Sequence, residues 1–486
     1  MEEKQSEAAG QFEIHAFGKD VLVYSLGNGL LLLFGFIQFL IIPKYLSVEG
    51  YGYWQLFMLY TVYVYILHLG FNDGILLRWA GKELDQVGSE IGIAFRFLLL
   101  EQVVAIIPLS LLFYFLIHPP LQWIWLMIVA YAFIMNLADL FINAGRAFRK
   151  FRLLTTVNVG RGLAFLLFII VLLAADYLDY HYVVLAFLAS HVLFLFTFAF
   201  WFRKYLWAEM PAISSLWAYG KENTNTGIFV LLGNYVVVLF PTIDRLMVSS
   251  FFTINQFAVY AFAITIVIMI YMFVRAISEV FFPYLSGAAP QLRNRAYQLG
   301  KPAIILAWAA ILAGYFPLTR LIEFYLPAYV DSLPLMRLLL CTIGFGSLIQ
   351  ILHANFYKVY RKQRRYFCWG ITALALSVML NLLAIKIWGT LQSVAIATLI
   401  SFGVWYITNE LSLKSVLEQS SKQLWNGIII IVCYMGAFWL ASFLADWFIA
   451  QMFIYICFFS LVSFLFFRRE LGALVVLASE VRRRGG

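Results

Sequence analysis

Eleven ionisable side chains stand inside long apolar runs of this sequence: Arg78, Arg96, Arg161, Arg245, Arg275 and Arg337, with Asp73, Glu101, Asp139, Asp244 and Glu279. Each costs about 2.5–3.5 kcal/mol on insertion scales, so such groups face a bundle interior or a watery cavity. A guanidinium is permanently charged and grips phosphate oxygens with a bidentate fork, so arginines at depth suit a diphosphate. The acids suit a coupling proton or sodium ion. Position sorts the arginines. Arg161 and Arg275 lie about 12 Å inside their cytoplasmic span ends, and Arg96 is also deep. Arg78 stands near a cytoplasmic end, Arg245 and Arg337 near external ends, where snorkelling suffices. Arg275 and Glu279, four apart, are also placed to neutralise each other on one helix face. No metal or cofactor is implied: Cys341, Cys368, Cys433 and Cys457 form no CxxC pair and read as buried thiols, and His68, His191 and His353 are dispersed and read as hydrogen-bonded core residues.

The elements that carry these residues follow from composition. Of 486 residues 63% are hydrophobic and 12% charged, with mean hydropathy +0.87, whereas a soluble chain carries about 25% charged residues. Apolar runs near 21–43, 54–80, 91–117, 121–145, 153–175 and 182–202 make a first group of six helices. Runs at 223–249, 257–283, 300–318, 333–357, 366–386 and 391–413 make a second six, and 425–445 and 447–467 complete about fourteen. The class is an all-α polytopic membrane protein. The polar start MEEKQSEAAGQFEIHAFGKD precedes a run too long for a cleavable signal, so the first helix is expected to stay in the membrane. With both termini cytoplasmic, about 25 of the Lys and Arg fall inside and about 3 outside, which orients the chain. The same bias accounts for the net charge of +9 without nucleic acid. Pro108 and Pro241 interrupt the third and seventh runs.

The break YLSVEGYGYW at 45–54 returns as FFTINQFAVY at 251–260. At an offset of 206, Gly27-Asn28 matches Gly233-Asn234, Tyr51 matches Phe257, Trp54 matches Tyr260, Asp73 matches Glu279 and Gly81 matches Gly287. Six helices separate the copies, an even number, which makes the halves parallel repeats. The expected organisation is a six-helix lobe at 1–206, a second at 207–413, and two further helices with a basic cytoplasmic tail at 414–486. Two such lobes describe a transporter.

The segments KDVLVYSLGNGL, IPKYLSVEGYGYWQLF and NAGRAFRKFRLLTTVNVGRGLAF resemble the Wzx-type polysaccharide-biosynthesis flippases of the multidrug/oligosaccharidyl-lipid/polysaccharide exporter superfamily. Gly52 falls on the family's glycine after the first helix, Asp244-Arg245-Leu246-Met247 on its seventh-helix pattern, and Ala258 stands where that pattern has glycine. The resemblance implies two six-helix lobes plus helices 13 and 14, alternating access, and export of a polyprenyl-diphosphate-linked oligosaccharide across the cytoplasmic membrane. The partners it implies are that lipid-linked oligosaccharide, membrane lipids, a coupling H+ or Na+, and the polymerase or glycosyltransferases of the same pathway. A drug/cation antiporter of the same superfamily is the alternative, favouring an acidic cavity with few deep arginines. A membrane-bound polymerase or ligase would need a larger external segment than 319–332 offers. Arg96, Arg161 and Arg275 are expected to line a central cavity, with Arg78 at its mouth.

Overall fold

The computed structural model describes residues 26–206, 213–287, 289–414, 417 and 421–484, with the side chains of 213–214, 233–234, 236–238, 283–284, 287, 421–424 and 468–484 excluded. The polar N-terminal segment, the middle of the stretch at 203–222 and the side chains of the arginine-rich tail lie outside the described residues. Two compact units divide the chain, Met1–Val238 and Leu239–Gly486.

The first unit contains α1 (Leu26–Tyr45), α2 (Val48–Thr61), a 3₁₀ turn (Val64–His68), α3 (Phe71–Trp79), α4 (Leu84–Leu116), α5 (Leu121–Ala147), α6 (Phe151–Ala174), α7 (Tyr180–Trp201), the one-turn α8 (Arg203–Leu206) and nearly all of α9 (Ile213–Leu239). The second contains α10 (Ile243–Phe251), α11 (Ile254–Gly287), α12 (Pro290–Leu312), α13 (Tyr315–Tyr325), α14 (Leu333–Ser347), a π turn (Leu348–His353), α15 (Ala354–Val359), α16 (Gln363–Ile387), α17 (Leu391–Lys414), α18 (Ser421–Phe443) and α19 (Phe448–Arg484). Among the described residues twelve helices are long and apolar enough to cross a membrane, and thirteen if α2 and α3 form one bent span. The remaining expected span, 223–249, is carried by α9 and α10, parted by a 3₁₀ turn at Phe240–Thr242 that holds Pro241. Pro108 by contrast stays inside an unbroken α4. The segment 319–332, read as an external loop, is mostly the end of α13 and a 3₁₀ turn at Pro327–Ser332.

Lipid stands in for water at the outer faces. Leu100, Val104, Ile107, Leu111 and Phe115 form an exposed stripe at three- and four-residue spacing on α4, as a bilayer-facing helix requires. Cys368 and Cys457 are exposed rather than buried, because they sit on outward faces; Cys341 alone of the four is fully buried.

The repeated break is a pair of helix starts. Ser47 Oγ accepts the Gly50 amide (3.0 Å) at the head of α2, and Thr253, 206 residues on, exchanges bonds with Gln256 at the head of α11. Tyr51 and Trp54, like Phe257 and Tyr260, are buried one turn later.

After that start the two copies part. The run 54–80 reads as one helix, yet α2 and α3 meet at 64°. Leu69 (φ 47) and Gly70 (φ 88) are both left-handed there, a conformation cheap only for glycine. In a membrane every peptide group released by such a break needs an internal partner. Gln102 of α4 donates to the Leu67 carbonyl (3.1 Å), Asn136 of α5 to that of Val64 (3.2 Å), and the Tyr235 hydroxyl of α9 to that of Tyr63. The Gly70 amide donates to His68 Nδ1 (3.1 Å).

Candidate functional site

Position 70 also sets how closely α9 approaches. A Cβ on Gly70 would lie 2.5 Å from the Ile228 nitrogen, and one on Gly74 would lie 2.0 Å from the Asn223 carbonyl oxygen. The backbones of α3 and α9 therefore touch. A polar cluster forms beside this contact: Glu90 of α4 accepts from Arg78 Nε (2.9 Å), Trp79 Nε1 (3.1 Å) and the Tyr219 hydroxyl (3.2 Å), while Arg78 also pairs with Glu222 of α9 (3.2 Å). Arg78 is thus an ion-pair partner joining α3, α4 and α9.

A line of amides crosses the interior of the same unit. Asn136 donates to Gln102 Oε1 (2.9 Å), Asn72 to the Asn136 carbonyl (3.0 Å), and both Asn72 and Asn143 donate to Asp139 Oδ2 (3.1 Å each). Arg146 ends the line on Asn143 Oδ1 (3.2 Å). Asn136, Asp139, Asn143 and Arg146 share one face of α5 through spacings of three and four. Asp73, in the first turn of α3, is half-buried, and one carboxylate oxygen of Glu101 is buried without a hydrogen-bond partner among the described residues.

Arg146 and Arg161 both line a cavity of about 410 Å³ whose wall includes Tyr65, Tyr131, Asn158 and His191. The Arg161 guanidinium, brought in by α6, donates to Asn158 Oδ1 (2.9 and 3.2 Å), lies 3.1 Å from His191 Nε2 and covers the Phe194 ring at 5.6 Å. All of these partners are neutral side chains. His191 Nδ1 lies 2.8 Å from the Phe187 carbonyl, which fixes the ring. Arg96, expected beside Arg161, instead donates to the Leu206 carbonyl (3.2 Å) at the end of α8.

In the second unit Asp244 and Arg245 are both buried. Asp244 Oδ2 accepts the Tyr260 hydroxyl (2.7 Å) and faces Thr398 (3.5 Å), and its Oδ1 accepts the Arg245 amide (2.7 Å). Arg275 and Glu279 are exposed on α11, and no ion pair joins them among the described residues. Arg337, in the first turns of α14, lies over the Trp439 and Phe443 rings (4.8 and 4.4 Å).

The most concentrated buried charge was not singled out from the sequence. Glu410 Oε1 accepts from Lys301 Nζ (2.8 Å) and the Tyr297 hydroxyl (2.8 Å), with His353 Nε2 at 3.4 Å. Glu410 and His353 are 1% and 0% exposed, so solvent screens none of this. Helix α18 closes over the group: a Cβ at Gly427 would lie 2.6 Å from Lys301 Cε and 3.3 Å from the Tyr406 hydroxyl. His68, His191 and His353 are hydrogen-bonded core residues, as read.

Bent and broken apolar helices that bury arginines and acids define a polytopic membrane protein. Residues 17–288, more than half of the chain, match the family described as polysaccharide biosynthesis protein, and the chain belongs to that family. Its fold is that of solved members of the exporter superfamily named above. The lipid II flippase MurJ in an inward closed conformation aligns at TM-score 0.67 and 12% identity, covering 92% of this chain and 99% of that one. An inward-facing multidrug resistance MATE family transporter aligns at 0.60 and 12%, covering 82% and 96%. A mutant of the Vibrio cholerae MATE transporter VcmN aligns at 0.52 and 13%, covering 83% and 96%. No curated protein matches the chain significantly.

Proposed function

We propose that the protein is a flippase that carries a polyprenyl-diphosphate-linked oligosaccharide from the inner to the outer leaflet of the cytoplasmic membrane by alternating access, with both termini cytoplasmic. The observation that carries the reading is the Arg161 cavity. Two guanidinium groups line one space, and among the described residues the deeper one holds only neutral partners, which leaves its charge for an anion. A diphosphate has the charge and the oxygen geometry to take both forks. Membership in a polysaccharide-biosynthesis family supports a glycan on that lipid. Arg78, Arg96, Arg245 and Arg275 are assigned supporting places along the substrate route. Asp73, Glu101, Asp139, Asp244 and Glu279 remain the proposed ion-coupling acids, with Asp139 and Asp244 the best held of the five.

Flipping of a lipid-diphosphate glycan by the full chain in proteoliposomes tests this. Arg161→Ala should lower the rate at least about tenfold at normal membrane expression, and Arg161→Lys should restore it only in part, because a point charge cannot reproduce the fork. Full flipping by the Arg146→Ala, Arg161→Ala double variant ends the reading. Organic-cation efflux that survives that double variant would establish the drug/cation antiporter instead.

A further inference from the structure

A second cavity, of about 630 Å³, lies where α16 begins, lined by Arg364, Arg365 and Trp369 of α16 and by Thr408, Leu411 and Ser412 of α17. Both arginines are exposed, and among the described residues neither guanidinium has a hydrogen bond or ion pair. The surrounding charge is one-sided. Residues 358–365, KVYRKQRR, carry five cations, and no Asp or Glu occurs between Asp331 and Glu410. Glu410 itself is buried and occupied by Lys301. Among the described residues no carboxylate pairs with either arginine.

Orientation by positive loops accounts for cations somewhere in this loop. It does not account for two of them beside a cavity that also holds an indole and two hydroxyls, at the head of an exposed apolar stripe. That stripe runs down α16 through Phe367 and Ile371, which are 40% and 43% exposed. Polar head, interfacial tryptophan and apolar track follow one another in the order of a lipid molecule. The hydroxyls narrow the choice. Thr408 Oγ1 gives its proton to the Trp405 carbonyl (2.9 Å), so toward the cavity it is an acceptor. A headgroup that meets both sides carries a phosphate for the arginines and a hydroxyl of its own for Thr408.

We propose that this cavity is a site for an anionic membrane phospholipid with a hydroxylated headgroup, of the phosphatidylglycerol type. Arg364 and Arg365 hold the phosphate, Thr408 and Ser412 meet the glycerol, and an acyl chain follows Phe367 and Ile371. The site rests on the membrane placement of α16 and α17 and not on the identity of the transported glycan.

Titration of the purified, delipidated full chain with short-chain phosphatidylglycerol and phosphatidylcholine, read by native mass spectrometry, tests the site apart from transport. Phosphatidylglycerol should bind at least about tenfold more tightly, a preference the paired arginines suffice to give. The Arg364→Gln, Arg365→Gln variant should lose that preference. Ser412→Phe, which fills the cavity and leaves the charge alone, should lose it too. Arg361→Gln with Lys362→Gln, which removes the same charge outside the cavity, should keep it. Equal loss in the 361/362 and 364/365 variants would show diffuse attraction to a basic loop and overturn the proposal. Displacement of phosphatidylglycerol by farnesyl diphosphate or pyrophosphate at equal concentration would also overturn it, by making the cavity a diphosphate site.

Discussion

Asn72 and Ser278 stand 206 residues apart, and each is clasped the same way. Asn143 donates to the Asn72 carbonyl (3.3 Å), and Asn355 donates to the Ser278 carbonyl (3.1 Å) and hydroxyl (3.0 Å). The helices held by these clasps differ. In the first unit the span breaks at Leu69-Gly70; in the second the matching residues, Arg275-Ala276, lie within continuous α11. A broken span survives in hydrocarbon only where side chains meet its stray carbonyls, and the first unit commits Gln102 and Asn136 to that task. In the second unit α11 runs unbroken at the matching position, and the interior adds a buried ion pair, Lys301 with Glu410. Both repeats set buried amides on backbone carbonyls, the first at a broken span, and the second adds a buried ion pair.

That contrast is open to direct attack, and the ionic side should be the more fragile. Lys301→Met should cost on the order of 3–5 kcal/mol in unfolding experiments, because it strands a buried carboxylate. Adding Glu410→Gln should recover most of the loss, while Asp139→Asn in the first unit, whose neighbours are amides, should cost only about 1 kcal/mol. Equal costs for Lys301→Met and Asp139→Asn would erase the distinction between the two interiors. A smaller loss, about 3 kcal/mol, is expected for Gly70→Ala, which adds a Cβ against the Ile228 backbone at a positive φ. Its counterpart Ala276→Leu, on an exposed face, should stay within about 0.5 kcal/mol. Comparable thermal shifts at both positions would mean that the break is not what α9 packs upon. Gln102→Leu is expected to cost about 1–3 kcal/mol by orphaning the Leu67 carbonyl, with hydrogen exchange rising at residues 64–70 rather than across α4. Uniform exchange along α4 would instead make Gln102 a packing residue.

Hydropathy made the spans legible, and the glycine and aromatic matches at an offset of 206 made the repeat legible; in the structure Ser47 and Thr253 begin equivalent helices. The break was not legible: Leu69-Gly70 looks like any small residue in a span until the amides that serve it are placed. A search for charge passes over Asn72, Asn136, Asn143 and Gln102, although Asn136, Asp139, Asn143 and Arg146 share a helical face that spacing alone displays. Lys301 was hidden by an element boundary. With the ninth span begun at 300 it reads as interfacial, but α12 starts at Pro290, which carries Lys301 three turns into the helix. The directions in which Arg96, Arg161 and Arg275 point are not encoded by hydropathy. The structure gives Arg161 a cavity, Arg96 a carbonyl and Arg275 an exposed face.

Gly427 gives the last two helices a fixed place in the protein's history. With no side chain there, α18 comes close enough to cover Lys301 and the Tyr406 hydroxyl, and the hydroxyl of Tyr455 on α19 reaches the Ala309 carbonyl of α12. A chain cut before residue 421 would therefore turn a lysine–glutamate pair toward lipid. Helices α18 and α19 could not be lost from this lineage, or trimmed from it by an engineer, in a single step; the pair at 301 and 410 would first have to become apolar.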